Sequence, residues 1–326
     1  MLARRGVLFS MALGIGGLLP SLVQADTFPS KPIRLIIPFA PGGGIDTVMR
    51  QVSRKAEELS GVTIIIDNKA GAGGIIAAAA AREAPRDGYT IMEADTGVFI
   101  ANASLMPNFP FDPIKDFQPI TNIYTSRSAL YVSTQSPANS VAELLAIAKA
   151  KEGGITYASQ GKGAIGHLLG SMFAKATGAP MVHVPYRGSS QATLDLITGR
   201  VDMMFNNYSA FKGEYEAGRL KALGVISKEP MPVFAGVPTM AQAGYPSVDF
   251  ESWFGLVAPA GVPKENVQKL HDIFTRAANH PDTVQWISKL GLTMRTSSSP
   301  AEFEAFVKEK YFAMKKFVAE TGMTLD

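Results

Sequence analysis

The sequence of 326 residues predicts an α/β fold of two lobes, each a mostly parallel sheet covered by helices, with two strands as hinges between them. Strand-like runs alternate with helical runs along most of the chain, which is typical of parallel sheets. A glycine-rich junction between a strand and a helix occurs twice, at residues 35–50 and at residues 155–167. Two extended runs that are poor in charge, residues 117–131 and 252–259, lie where the chain would cross between lobes and return.

The first 25 residues predict a secretory signal peptide. Arg4 and Arg5 precede an apolar run, and the small residues before Asp26 favour cleavage after Ala25. The arginine pair leaves both general secretion and twin-arginine export open. The sequence has no cysteine, which excludes a lipid-anchor cysteine and disulfide bonds. We therefore expect a protein of the periplasm.

Composition limits the partners. Removal of residues 1–25 takes away two basic residues and no acidic one, which leaves 29 basic and 28 acidic residues and a formal charge of +1. A near-neutral chain without lysine or arginine runs argues against nucleic acid or a membrane surface as partner. About 300 residues with 46% hydrophobic composition are enough for two modest cores.

The first lobe begins with short apolar strands that alternate with helices. The strands are predicted at 33–37, 63–67 and 90–94, and the helices at 46–59 and 75–84. The run 117–131 is then interpreted as a strand that crosses to the second lobe.

The second lobe repeats the alternation and begins with a helix at residues 140–151, where Ser140 and Glu143 match a capping box. Further strands are predicted at 155–159, 181–185, 201–205 and 220–227, and further helices up to Thr177 and at 189–198. Three helices, at 263–278, 281–290 and 300–321, follow the return crossing. The predicted domains are residues 26–125 with 253–326 and residues 126–252.

The first glycine-rich junction, LIIPFAPGGGIDTVMR, predicts an anion site. Asp46 is expected to open the helix by accepting a first-turn N–H. The remaining first-turn N–H groups and the positive end of the helix dipole face a loop with few side chains, which suits a carboxylate or phosphate. The alternative is a tight connection whose glycines serve backbone shape alone. The candidate ligand-binding residues here are Phe39, Gly43, Gly44 and Asp46.

The second junction, ITYASQGKGAIGH, repeats this plan, so both loops are expected to face one ligand. Its candidate ligand-binding residues are Ser159, Gln160, Ala164 and His167, the last in the first turn of the helix, where it either contacts the anion or packs locally. Thr96, at the end of the third strand, is a further neutral candidate.

Other chemistry fits this junction less well. The G-x-G-x-x-G pattern at residues 161–166 would need an acidic residue after the next strand, but Tyr186 and Arg187 follow it, so no nicotinamide cofactor is expected. Ser159 and Lys162 match S-x-x-K, although glycines flank the lysine and K-T-G is absent. An exported hydrolase or lactamase acting through Ser159 remains the rival hypothesis. The four histidines lack ligand spacing, so no metal is expected.

Four stretches, PFAPGGGID, YASQGKGAIGHL, HVPYRGSSQATLDLITGRVDMMF and WFGLVAPAGVP, together resemble the extracytoplasmic solute receptors of tripartite tricarboxylate transporters, the Bug or TctC-type proteins. The resemblance implies a periplasmic binding protein fold of type II-like form that closes on its ligand. It also implies that main-chain N–H groups of both loops, with ordered water, grip one carboxylate. Asn206 is a further candidate ligand-binding residue. Asn206–Asn207 departs from the family pattern of Asp then Asn, and this loss of charge favours a second anionic group on the ligand.

We therefore expect a monomeric receptor, not an enzyme, that delivers a di-, tri- or aromatic carboxylate to membrane permease subunits. A module that presents the closed lobes to a membrane kinase is the alternative receptor. Arg187 is either a counter-ion for a second carboxylate or part of a solvated face.

Overall fold

The computed structural model describes residues 28–106, 108–161, 164–186, 189–227 and 229–322. It contains two sheets, each covered by helices, which confirms the predicted α/β class with two lobes. We name the six-stranded sheet with its helices the first lobe and the five-stranded sheet with its helices the second lobe. The predicted signal peptide and its cleavage site lie outside the described residues.

The sheet of the first lobe has the strand order β11-β4-β10-β3-β1-β2. Strand β1 pairs in parallel with β2 and β3, whereas β10 pairs antiparallel with β3 and β4, and β11 antiparallel with β4. The sheet is therefore mixed, because β10 and β11 run opposite to the other four strands. The strands are β1 Ile33–Ile37, β2 Ile64–Asn68, β3 Thr90–Asp95, β4 Phe117–Ser126, β10 Ser252–Pro259 and β11 Leu292–Met294.

The sheet of the second lobe has the order β7-β6-β8-β5-β9. Strand β6 is parallel to β7 and β8, and β5 is antiparallel to β8 and β9. This arrangement places the carboxyl ends of β6 and β8 at the same edge of the sheet. The strands are β5 Ser128–Ser133, β6 Ile155–Ser159, β7 Met181–Pro185, β8 Met203–Asn207 and β9 Leu220–Val225.

The described helices cover both faces of the two sheets. They are α1 Gly44–Ser60, α2 Ile75–Arg82, α3 Ala103–Leu105, α4 Val141–Ala150, α5 Ile165–Thr177, α6 Ser189–Ile197, α7 Tyr208–Glu216, α8 Lys264–Ala278, α9 Pro281–Ser288 and α10 Pro300–Thr321. A π-helix, Thr96–Asn102, follows β3, and 3₁₀ turns occur at Ala72–Gly74 and Pro232–Phe234. No helix within the described ranges combines the length and hydropathy needed to cross a lipid bilayer.

Successive side chains along the strands of the first lobe point to opposite faces of the sheet and therefore contribute to two separate parts of the core. Leu35 and Leu256 pack with Val48 of α1, whereas Ile36 packs in a separate cluster with Trp253 and Phe303. Helix α10 approaches the sheet so closely that a Cβ added at Gly255 would lie 2.4 Å from the Phe303 ring. Helix α10 therefore packs directly on the sheet of the first lobe.

The chain crosses between the sheets twice. The predicted single strand at 117–131 is two strands, β4 and β5, with Arg127 between them. Glu251, directly before β10, forms ion pairs with Arg127 at 2.5 Å and with Arg295 at 3.1 Å. This network ties the two crossings together at the hinge. The domain boundaries at residues 125/126 and 252/253 stay a prediction.

The sequence prediction lacked α3, α7, β11, the π-helix and the two 3₁₀ turns. The start of α1 was also predicted wrongly, because the helix begins at Gly44, with Gly43 as its N-cap, and not at Asp46.

Candidate functional site

A cleft of about 630 Å³ lies between the two lobes and is lined by residues of both. Its walls include the segments that follow four strands, β1 and β3 in the first lobe and β6 and β8 in the second. Ligands in open α/β sheets bind outside the carboxyl ends of strands, so this cleft is the candidate site.

Three helices begin at the cleft, α1, α5 and α7, and each contributes lining residues from its first turn, among them Gly44, Ile165 and Ser209. Their N-cap residues are Gly43, Ala164 and Asn207, and within the described chain no N-cap side chain accepts a hydrogen bond from these helices. First-turn N–H groups have no partner inside a helix, and the dipole places positive potential there. Three helix starts therefore offer the cleft a set of neutral anion-binding donors.

Asp46 lies behind the first loop and not in the wall of the cleft. Its carboxylate accepts hydrogen bonds from Gly42 N, Arg50 Nε and Asn68 Nδ2, each at 2.8 Å. Burial works against ionisation, but these bonds outweigh it and lower the pKa of Asp46. The predicted helix cap is thus wrong: Asp46 fixes the glycine loop from inside by holding the N–H of Gly42, a residue that precedes the helix.

Ser159 is fully buried at the end of β6. Its hydroxyl lies 2.8 Å from Gly161 O and 2.7 Å from His183 Nε2, and it accepts from Gly161 N at 3.2 Å. These contacts close the turn after β6. A hydrolytic nucleophile must reach its substrate, whereas this hydroxyl is enclosed by protein.

His167 also lies behind the wall of the cleft, 8% exposed. Its ring stacks on that of His183, with centroids 4.0 Å apart and an interplanar angle of 8°. On the other part of the turn, Gln160 lines the cleft while its Oε1 accepts from Gly166 N at 3.3 Å. These contacts support the interpretation that His167 packs locally, and contact of His167 with a ligand stays a prediction.

Asp95 was not among the predicted site residues, although it ends β3 and lines the cleft. Its Oδ1 accepts from Gly97 N at 2.5 Å and Val98 N at 3.1 Å and so caps the π-helix. Burial raises the pKa of Asp95 to about 6. The pKa of Glu93, two residues earlier and fully buried, is raised well above its ordinary value by burial and by the charge of Asp95. An aspartate at the end of a predicted strand, directly before Thr-Gly, was the sequence signal that could have identified Asp95 as a site residue.

Thr96 follows Asp95 in the wall of the cleft. The hydroxyl group of Thr96 is hydrogen-bonded to the hinge strand β10. It accepts from Trp253 N at 2.8 Å and lies 3.3 Å from Trp253 O. Thr96 therefore connects the cleft to β10, while its direct role in binding stays a prediction.

Two aromatic side chains continue the wall from Asp95 across the first sheet. Phe254 is the register partner of both Asp95 on β3 and Tyr124 on β4. The Phe254 and Tyr124 rings stack with centroids 4.4 Å apart and an interplanar angle of 9°. Beyond them Ser126 pairs with Ser252, and all five residues line the cleft. The floor of the cleft is thus apolar between polar ends.

The ten predicted ligand-binding residues fall into two groups. Six line the cleft: Phe39, Gly44, Thr96, Gln160, Ala164 and Asn206. Four lie behind its walls: Gly43, Asp46, Ser159 and His167. Contact of each with a ligand stays a prediction. Arg187 and Lys162 lie outside the described residues. Within the described part of the chain no three His, Asp or Glu side chains group as a metal site.

Two lobes joined by crossing strands, with helix starts opening on the cleft between them, define a two-lobed solute-binding protein. The chain matches the tripartite tricarboxylate transporter family receptor, TctC, over residues 48–323, and it belongs to this family. The family predicted from the sequence is therefore confirmed.

Relatives match over nearly the whole chain. A protein of a Pseudomonas species, named for the tcbD–tcbE intergenic region, is 37% identical over 292 residues, 89% of this chain and 87% of the relative. Protein BugT of Bordetella pertussis is 31% identical over 304 residues, 93% of each chain.

Solved structures agree with the fold. The periplasmic binding protein BugD has a TM-score of 0.80 at 29% identity, covering 91% of this chain and 99% of BugD. Rpa4515 of R. palustris, solved with adipate, has a TM-score of 0.82 at 30% identity and covers 91% of this chain and 99% of its own. MatC of Rhodopseudomonas palustris, with bound malate, has a TM-score of 0.79 at 28% identity, covering 89% and 100%. The family and these neighbours are solute-binding proteins, so this chain is a binding protein and not an enzyme.

Proposed function

We propose that the protein, cleaved after Ala25, captures one small organic carboxylate in the periplasm and delivers it to the permease subunits of a tripartite tricarboxylate transporter. The observation that carries the proposal is the convergence on one cleft of α1, α5 and α7, whose N-cap side chains accept no hydrogen bond from them in the described residues. Neutral donors at helix starts hold an anion without transforming it and allow its release.

The carboxylate is held by the first-turn amides of the two glycine-rich loops. The loop that ends at Gly44 is fixed by Asp46, and the loop after Ser159 is fixed by the Ser159 hydroxyl and the Gln160 amide. Adipate and malate, bound by two similar proteins, are both small organic acids and support this ligand class.

Closure of the lobes supplies the remaining affinity. Each contact with a helix dipole contributes about 0.3–1 kcal/mol when exposed. Micromolar binding requires about 8 kcal/mol, so enclosure of the ligand and exclusion of water must add the larger part. The hinge that permits closure is the pair of crossings joined by Arg127 and Glu251.

A proline at Gly44 tests the proposal directly. Gly44 is the first residue of α1, and Gly43 before it has φ −70° and ψ 166°, a conformation that a following proline accepts. Gly44→Pro therefore removes one N–H while the helix start is kept. The matched control, Gly44→Ala, retains the N–H, and its Cβ meets no atom within 4 Å.

The measurements are thermal-shift screening of the mature protein with mono-, di-, tri- and aromatic carboxylates, followed by calorimetry of the acids that stabilise it. Loss of one hydrogen bond to a charged group predicts about tenfold to hundredfold weaker binding in Gly44→Pro and no such loss in Gly44→Ala. Absence of stabilisation by every acid, or equal affinity in both variants, would count against the proposal. Delivery is tested by uptake of the bound acid in cells that lack the gene for this protein.

A further inference from the structure

Three buried polar atoms of the cleft lack a hydrogen-bond partner among the described residues: Asp95 Oδ2, Ser126 Oγ and Asn206 Nδ2. Their residues are 5%, 1% and 3% exposed, and all three line the cleft. Asp95 and Ser126 belong to the first lobe and Asn206 to the second. Buried polar atoms are normally paired, so three such atoms around one cleft indicate groups that a ligand satisfies.

The chemistry of the three atoms is complementary to one kind of ligand group. Asp95 Oδ2 accepts when the carboxyl group is ionised, and Asn206 Nδ2, as an amide NH₂, only donates. The orientation of this amide is fixed by Asn206 Oδ1, which accepts from Asn207 N at 2.9 Å. The Ser126 hydroxyl serves in either role. A carboxylate on the ligand only accepts and an ammonium group only donates, whereas a hydroxyl group does both.

We propose that the ligand is a hydroxylated monocarboxylate with an apolar body, and that Asp95 selects it by accepting a hydrogen bond from the ligand hydroxyl. The inference rests on the proposed function, because it takes the carboxylate end to be held at the helix starts. The apolar body lies over the stacked rings of Phe254 and Tyr124, next to Asp95. The hydroxyl oxygen accepts from the Asn206 amide when the lobes close.

Asp95 also disfavours a second carboxylate on the ligand. The titratable groups that face it are Glu93 on its own strand and Tyr124 on β4, and neither contributes positive charge. The loss of charge at Asn206 is therefore balanced by a carboxyl group on the opposite wall. The hypothesis that Asn206 favours a second anionic group is replaced by one in which the second group is neutral.

A ligand series that varies only its distal group tests the inference. Hexanoate, 6-hydroxyhexanoate, adipate and 6-aminohexanoate form one set, and benzoate, 4-hydroxybenzoate, terephthalate and 4-(aminomethyl)benzoate form the other. Calorimetry with the mature protein is expected to give about tenfold tighter binding of the hydroxy acid than of its parent in at least one set, the gain of one hydrogen bond to a charged group. The dicarboxylate is expected to gain nothing over the parent, and the amino acid is expected to gain less than the hydroxy acid, because an ammonium group cannot accept from Asn206 Nδ2.

Asp95→Asn changes the predicted selectivity while the fold is preserved. Asparagine keeps the Oδ1 cap on Gly97 and Val98 and replaces the free acceptor by an N–H₂ donor. The advantage of the hydroxy acid is expected to disappear, and the dicarboxylate is expected to bind about tenfold tighter than in the wild type. The matched control is Asp272→Asn on α8, whose side chain is 65% exposed.

The pH dependence separates selection by Asp95 from a general effect of the substitution. The hydroxy acid prefers ionised Asp95. The affinity of the wild-type protein for the hydroxy acid is therefore expected to rise as the pH increases through about 6, and this rise is expected to be absent in Asp95→Asn. A wild-type preference for the dicarboxylates, or an unchanged ligand order in Asp95→Asn, would overturn the inference and leave the proposed function intact. Failure of every acid in both series and in the wider screen would overturn the proposed function itself.

Discussion

Replacement of Asp95 by asparagine is expected to stabilise the ligand-free protein at neutral pH. The folded-state pKa is raised from 3.8 to about 6, so ionisation of Asp95 costs stability as the pH rises from the first value through the second. The difference of about two pH units corresponds to about 3 kcal/mol, and Asp95 is buried, so solvent does not screen it appreciably. Asparagine removes this cost and keeps the Oδ1 hydrogen bonds that cap the π-helix.

The assay is urea unfolding of wild type and Asp95→Asn at about pH 4 and about pH 7.5, without ligand. The gain in free energy of unfolding is expected to be about 3 kcal/mol at the higher pH and to shrink toward zero at the lower one, where the wild-type carboxyl group is largely protonated. Relief of repulsion with Glu93 acts in the same direction. An equal effect at both pH values, or destabilisation at neutral pH, would refute the reasoning. The stabilised variant should also have lost its preference for hydroxy acids, as expected when a site retains a costly charge for function.

Three further predictions concern the frame of the cleft. Asp46→Ala should lower the free energy of unfolding by about 2–3 kcal/mol, because Gly42 and Asn68 lose a charged acceptor. Since the folded-state pKa of Asp46 is lowered, this difference is fully present above pH 3.8. In chemical denaturation it should shrink as the pH falls through that lowered pKa. Gly255→Ala should cost about 1–3 kcal/mol by overpacking, since its Cβ would lie 2.4 Å from the Phe303 ring. Ser159→Ala should cost about 1–3 kcal/mol, because the hydroxyl that closes the turn after β6 is removed.

Two of these variants have a matched control in the same chain. Asp282→Ala removes an acid that is 69% exposed and should cost under about 1 kcal/mol in contrast to Asp46→Ala. Gly213→Ala, in α7 with no atom within 4 Å of the added Cβ, should be neutral or stabilising by up to about 1 kcal/mol. Ester or lactam turnover by the wild type that is lost in Ser159→Ala would contradict the structural role given to that residue.

Sequence reasoning found most strands and helices because their signals are local. The run 252–259 was predicted with the bounds of β10, and the helix at 300–321 with those of α10, since charge-poor strands and proline at a helix start are visible without neighbours. The helix α7, by contrast, was missed. Asp46 was predicted as a cap because its position in the sequence fits one, whereas its actual partners include Asn68, 22 residues away.

The sequence by itself determined the α/β class, the two lobes, the family, and the two glycine-rich loops as candidate anion sites. These follow from periodicity, from glycine placement and from helix starts, which depend on residues within a few positions of each other. The tertiary structure decided which side chains line the cleft, that Asp46 and Ser159 support the loops from behind, and that Asp95, Phe254 and Tyr124 form one row. Strand order and register bring residues more than a hundred positions apart together, and burial then sets the pKa of Asp95; neither can be calculated from local sequence alone.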